Sequence, residues 1–253
     1  MPVTASHPGH THRGVEVRRS LGRPPIPTER IIAAALQLVD DEGAEALSMR
    51  TLAQRLNSST ATLYRHFPNR AALIIDVIDR ALGEVALDPA DLDTTWQQAC
   101  RRLAQATFDA LSRHRNVAPL LAEHPPIGSN AMALREHWFA VMLHHGFPPA
   151  QAAYSVVMLA RYALGFATQL VAPLATTAQI FAALRGADAA SFPATAAVAQ
   201  LLPVPLEDSF ALGMEMVIDG LGQLRGRNGA YPSKESRECV ARVRPKGFEP
   251  LTF

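Results

Sequence analysis

Two cysteines in 253 residues, Cys100 and Cys239, are too few for a disulfide framework or a cysteine-rich zinc site. Lysine is nearly missing; 22 of the 24 basic residues are arginine, a bias that points to a GC-rich genome rather than to a function. No uninterrupted apolar run reaches the roughly 18 residues of a membrane span, and the first twenty residues lack the apolar middle of a secretory signal. A cytoplasmic protein with no membrane partner is therefore expected. Also missing are a glycine-rich phosphate loop, an HExxH pair and a GxSxG elbow, and the carboxylates show no inward-facing pair, so an enzyme is not expected. What is present is a globular composition, 48% hydrophobic and 19% charged, long enough for a substantial core.

The net charge of +1 hides an uneven distribution. Residues 1–24 carry four arginines and one acid without apolar periodicity, which reads as a flexible basic arm. Residues 25–80 hold six arginines against seven acids, and residues 81–227 nine against twelve. Residues 228–253 hold five basic and three acidic residues among scattered prolines and read as a flexible tail.

Between these ends the apolar period is helical. Ile31, Ile32, Ala35, Leu36, Leu38 and Val39 recur at three and four, with Thr28 expected as N-cap and Gly43 as terminator. Ser48 then caps a short helix with the stripe Met49, Leu52, Ala53 and Leu56, and Asn57 suits a left-handed turn. Ser58 or Ser59 caps a third helix over 60–67, which Pro68 and Asn69 end before a longer helix over 70–86. Further helices are expected over 91–114, 117–122, 130–145, 149–172 and 206–225. The proline-interrupted stretch 173–205 reads as a long loop with one short helix near 178–184. No alternating strand with a hairpin turn occurs, so the fold class is all-α.

The third helix carries the chemistry. Leu63 and Phe67, at i and i+4, anchor one face inward, leaving Thr60, Thr62, Tyr64, Arg65 and His66 to point outward together. A polar face about one turn long, behind a short capped helix, suits the DNA major groove. An ordinary solvated helix has the same composition, and helix-turn-helix geometry also occurs in interaction modules that bind no DNA.

Residues 30–82 resemble the DNA-binding domain of the tetracycline-repressor (TetR) family. The matching elements are the apolar helix ending in Gly43, then Leu47, Arg50, Leu52-Ala53, Leu56, Leu63-Tyr64-Arg65-His66-Phe67, Asn69-Arg70 and Ala72-Leu73. Two positions depart from the pattern: Asn57-Ser58 stands where glycine and an apolar residue are usual, implying a looser turn, and Pro68 follows the third helix. Weaker likeness to the tetracycline repressors continues through Trp96-Gln97, His114-Arg115, Gly146-Phe147, Leu164-Gly165 and the terminal helix.

The resemblance implies a helix-turn-helix domain over 25–75 and a larger helical ligand-binding and dimerisation domain over 76–227. It implies a homodimer, joined through helices 149–172 and 206–225 with Gly213 and Gly220 at close packing, on a palindromic double-stranded DNA operator. Ser48, Tyr64, His66 and Arg70 are expected at phosphates, and Arg50, Thr60, Ala61 and Thr62 at base edges. An apolar effector cavity is expected between Trp96 and Gln169. Phe108, Trp138, Met142, Met158, Tyr162 and Phe166 are its candidate walls; Arg101, His124, His137 and Gln169 are its candidate polar contacts. Where the tetracycline repressors use a histidine and acidic residues around a drug-bound metal, this chain has Leu121 and Gln169, so no metal or other cofactor is expected. His7, His10 and His12 read as arm residues and Cys100 as a core residue.

Overall fold

The computed structural model describes residues 25–171, 174–186 and 188–225. The expectations for the basic arm, its histidines, Cys239 and the C-terminal tail lie outside these residues. Helix α1 (Thr28–Glu42) buries Ile31, Ala35, Leu36, Leu38 and Val39 and ends at Gly43, whose φ of 91° disfavours any side chain. Its N-cap is Pro27, not Thr28; the Thr28 hydroxyl instead meets His66 Nδ1 at 3.0 Å.

Helices α2 (Met49–Arg55), α3 (Thr60–Tyr64) and α4 (Arg70–Leu82) each start on a local side-chain cap. Ser48, Ser59 and Asn69 accept from the main-chain N–H groups of Thr51, Thr62 and Ala72. Between α2 and α3 Asn57 takes φ 49°, so the turn closes without glycine, and Ser58 N–H reaches Ala53 O at 2.8 Å. The expected loosening is not seen. Helix α3 is shorter than expected: Arg65 and His66 close i→i−3 bonds to Thr62 O and Leu63 O, and a single i→i−4 bond from Phe67 N–H to Leu63 O ends the turn.

The second half consists of α5 (Trp96–Arg113), α6 (Ala118–Glu123), α7 (Ser129–His144), α8 (Pro149–Ala167), α9 (Leu174–Arg185), α10 (Pro193–Val198) and α11 (Leu206–Arg225). Helix α9 is longer than the short helix expected, and α10 was not anticipated; Pro193 sits in the first turn of α10, where its missing N–H costs nothing. No strand occurs among the described residues. One core joins α1–α4 to Leu111, Val117, Leu120 and Ala131; a second gathers Trp96, Phe108, Trp138, Met142, Leu159, Phe210 and Ile218. By length and hydropathy, 149–171 is apolar enough to cross a membrane, but it is amphipathic in place, burying Ala152, Ser155, Val156, Leu159 and Ala163 against α5, α7 and α11.

Candidate functional site

Leu63 and Phe67 are buried, at 0% and 3% exposure, and fix which way α3 faces. Thr60, Ala61, Tyr64 and Arg65 stand outward beside Arg50 on the first turn of α2. Thr62 is half-buried, its hydroxyl 3.0 Å from Ser59 Oγ and accepting from Arg65 at 3.3 Å. The Ser48 hydroxyl caps α2 and touches the Thr51 hydroxyl, which donates to Ala46 O at 2.9 Å. These groups lie over the buried Leu52, Ala53 and Leu63.

Arg70 behaves differently from the expectation of a free phosphate contact. Its guanidinium donates through Nε to Leu47 O at 2.6 Å and through a terminal nitrogen to Ala44 O at 3.2 Å, tying α4 to the loop before α2. His66 likewise braces α3 against α1. Arg65 belongs to the outward set; its exposure at i+2 from the buried Leu63 was the available signal.

A cavity of about 440 Å³ lies between α4, α5, α6, α7 and α8. Its walls are apolar: Leu82, Leu111, Leu121, Leu134, Trp138, Phe139, Val156, Leu159 and Leu164 among them. Thr107, Arg135 and Arg161 are the polar members of the lining, which contains no carboxylate and no imidazole.

Of the ten residues expected to line it, only Trp138 does. Phe108, Tyr162 and Phe166 instead surround Phe210 of α11, with Phe108 stacked on it at 4.3 Å and the Tyr162 hydroxyl donating to Phe210 O at 2.9 Å. Met142 is fully buried against Cys100, whose thiol burial pushes up to about 12, leaving it inert near neutral pH. Met158 faces outward. Arg101 is held by Glu215 at 2.5 and 2.6 Å on the surface between α5 and α11. His137 is bound to Asp91 at 2.7 Å; burial, then the nearby Arg102, lowers its pKa. His124 ends α6, and Gln169 turns back onto Gly165 O at 3.4 Å. No cluster of three metal-ligating side chains occurs among the described residues.

Helix α4 joins the two regions. Leu82 at its end lines the cavity, and Asp79 caps the start of α7, a cavity wall. The Asp79 carboxylate accepts from Ala131 N–H at 2.8 Å, Asn130 N–H at 3.2 Å and the Ser129 hydroxyl at 3.4 Å. An anion at a helix N-terminus satisfies donors that have no partner inside the helix. The approach requires Gly128, where a Cβ would lie 2.2 Å from Asp79 Cγ.

A surface is left uncovered on α8 and α11. Tyr154, Val157 and Met158 are exposed on the first, and Leu212, Met216 and Leu224 on the second. Gly220 opens onto free space, whereas a Cβ on Gly213 would meet the Tyr162 hydroxyl at 2.1 Å. Gly213 thus gives room to Tyr162 within the protomer.

Residues 31–77 match the family model "Bacterial regulatory proteins, tetR family", and residues 88–225 match "Tetracyclin repressor-like, C-terminal domain". The chain is 27% identical to the HTH-type transcriptional repressor DrrR1 of Streptomyces coeruleorubidus over 79% of its own length and 78% of that protein. It is 26% identical to the class C tetracycline repressor of Escherichia coli, over 79% and 92% of the two chains. Among solved structures, the TetR family protein ActR of Streptomyces coelicolor in complex with actinorhodin superimposes with a TM-score of 0.70 at 29% identity, covering 80% of this chain and 100% of that one. With an outward polar third helix, an apolar cavity and matches to both family models, the chain belongs to the tetR family of bacterial regulatory proteins and is a ligand-responsive DNA-binding transcriptional regulator.

Proposed function

We propose that the protein is a cytoplasmic, non-catalytic repressor that binds a palindromic operator as a homodimer and is released by a mostly apolar organic effector. The observation that carries this reading is the span of α4, which packs on α1 at one end and supplies Leu82 to the cavity at the other. The division into 25–75 for DNA and 76–227 for effector and partner belongs to the same reading, with α4 crossing the boundary.

At the operator, Arg50, Thr60, Ala61 and Thr62 face base edges and Ser48, Tyr64 and His66 face phosphates. Arg65 joins them, while Arg70 acts by holding the loop that carries Ser48. Two such surfaces related by a two-fold axis read half-sites about one helical turn apart. The exposed apolar residues of α8 and α11 supply the dimer face, since contiguous exposed apolar surface marks an interaction site. Effector in the cavity displaces α7, and Asp79 carries that displacement into α4 and the recognition helices. The effector achieves this only through its differential affinity for the two shapes.

DrrR1 is named a repressor, and ActR has been seen with actinorhodin. Likeness to the tetracycline repressors does not extend to their ligand here, because a lining without carboxylate or imidazole offers a divalent metal chelate only poor ligands. Selection from a random duplex pool tests the reading: it should enrich an inverted repeat bound by two protomers, and tetracycline with magnesium should leave that complex intact. Enrichment of no symmetric site, or release by the drug only with the metal, would contradict it.

A further inference from the structure

Some arginines of the effector half are paired and others are not; Arg185 and Arg225 donate to the main-chain carbonyls of Leu202 and His145, away from the cavity. Arg101, Arg102 and Arg113 each hold a carboxylate, from Glu215, Asp91 and Glu84. Arg135 and Arg161, the two charged residues of the cavity lining, have no carboxylate at ion-pair distance among the described residues. Arg135 is half-buried on α7, and its guanidinium reaches only neutral groups, Met132 Sδ at 2.8 Å and Pro126 O at 3.2 Å. Arg161 is exposed on α8 at the cavity edge. A cation against an apolar wall loses hydration that neutral acceptors only partly replace, so an anion entering the cavity gains what the unliganded site lacks. The planar guanidinium fork matches a carboxylate in two parallel hydrogen bonds.

We propose that the effector is an organic acid, with an apolar ring-bearing body enclosed by Trp138, Phe139, Leu134 and Leu159 and a carboxylate held by Arg135, Arg161 adding attraction at the edge. This rests on the reading of the cavity as the effector site. The cavity volume, about 440 Å³, is within the roughly 300–1,000 Å³ usual for such ligands.

The test uses anthracene-2-carboxylate and anthracene-2-carboxamide, which share a ring system and differ in charge. Equilibrium dialysis against the full-length protein should give the acid at least tenfold tighter binding than the amide. Arg135→Gln should bring the ratio of affinities below threefold, and Arg135→Lys, which keeps the charge, should retain more than half of the preference on a logarithmic scale. The ratio is the readout because loosened packing affects both compounds alike. Equal binding of acid and amide to the wild type, or an undiminished ratio in Arg135→Gln, would overturn the acid proposal while leaving the cavity as effector site. Binding of neither compound would overturn that site assignment and the proposal with it.

Discussion

Helices α2 to α4 at the DNA-reading end and α6 to α8 at the effector end satisfy their N-termini by different means, although α5 has a local cap in Thr95 and α1 has no side-chain cap. Helices α2, α3 and α4 are capped by Ser48, Ser59 and Asn69, each lying within the segment it caps. In the effector half, α6 and α8 begin with proline in the first turn and no side-chain cap, and α7 begins on Asp79, fifty-one residues before Asn130. A local cap satisfies the first N–H groups of a helix without a side chain from another element. A helix capped from elsewhere is tied to the element that caps it. The cap from Asp79 ties α7 to α4, which also supplies Leu82 to the cavity and packs on α1.

The largest effect should come from the assembly face on the effector side. Gly220→Glu places a charge on the open side of α11 and should leave the protomer folded but monomeric in sedimentation, with specific DNA binding lost. If the variant stays dimeric, the interface lies elsewhere. Gly213→Val is the partner experiment: it forces the Tyr162 hydroxyl aside within the protomer and should cost about 1–3 kcal/mol of stability. A dimerisation defect with unchanged protomer stability would reverse the two assignments.

Next in size is the link itself. Asp79→Ala leaves the α7 donors unmet and should cost about 2–3 kcal/mol in urea unfolding. It should also separate effector binding from operator release. A loss under about 0.5 kcal/mol, less than a modest cap contributes, would show that α7 does not depend on α4. The smallest effect belongs to the local side: Ser59→Ala should cost about 1 kcal/mol and leave effector affinity unchanged. If it altered effector affinity, the DNA-reading end would not be independent of the cavity.

The same contrast decides what could be read without a structure. The cap at Ser48, the left-handed Asn57 and the buried pair Leu63 and Phe67 depend on neighbours within a few residues, so spacing located them, and it narrowed the third cap to Ser58 or Ser59, of which Ser59 is the one used. Thr28 failed as a cap because its hydroxyl is engaged by His66 from the turn after α3, and Arg70 reaches back to carbonyls more than twenty residues away. The cavity was the least legible feature. Periodicity identifies the buried faces of α5, α7 and α8, but a side chain packed on Phe210 and one bordering a void have the same sequence signature. Phe108 and Tyr162 therefore read as walls, while Arg135, charged and on the same helix as Trp138, was not singled out. Helix α9 was expected only over 178–184, because the stretch around it, interrupted by prolines, read as loop; its start at Leu174 was missed.

The most direct measurement of the central claim is fluorescence anisotropy of full-length protein on its selected operator and on a scrambled duplex, across a salt series, for wild type and Arg50→Ala. The account predicts that wild type prefers the operator and that both duplexes are bound with a steep salt slope. Arg50→Ala should lose about 1–3 kcal/mol of that preference, with nearly unchanged affinity for the scrambled duplex. An unchanged preference in Arg50→Ala, or equal loss on both duplexes, would contradict the assignment of α2 and α3 as the sequence-reading surface.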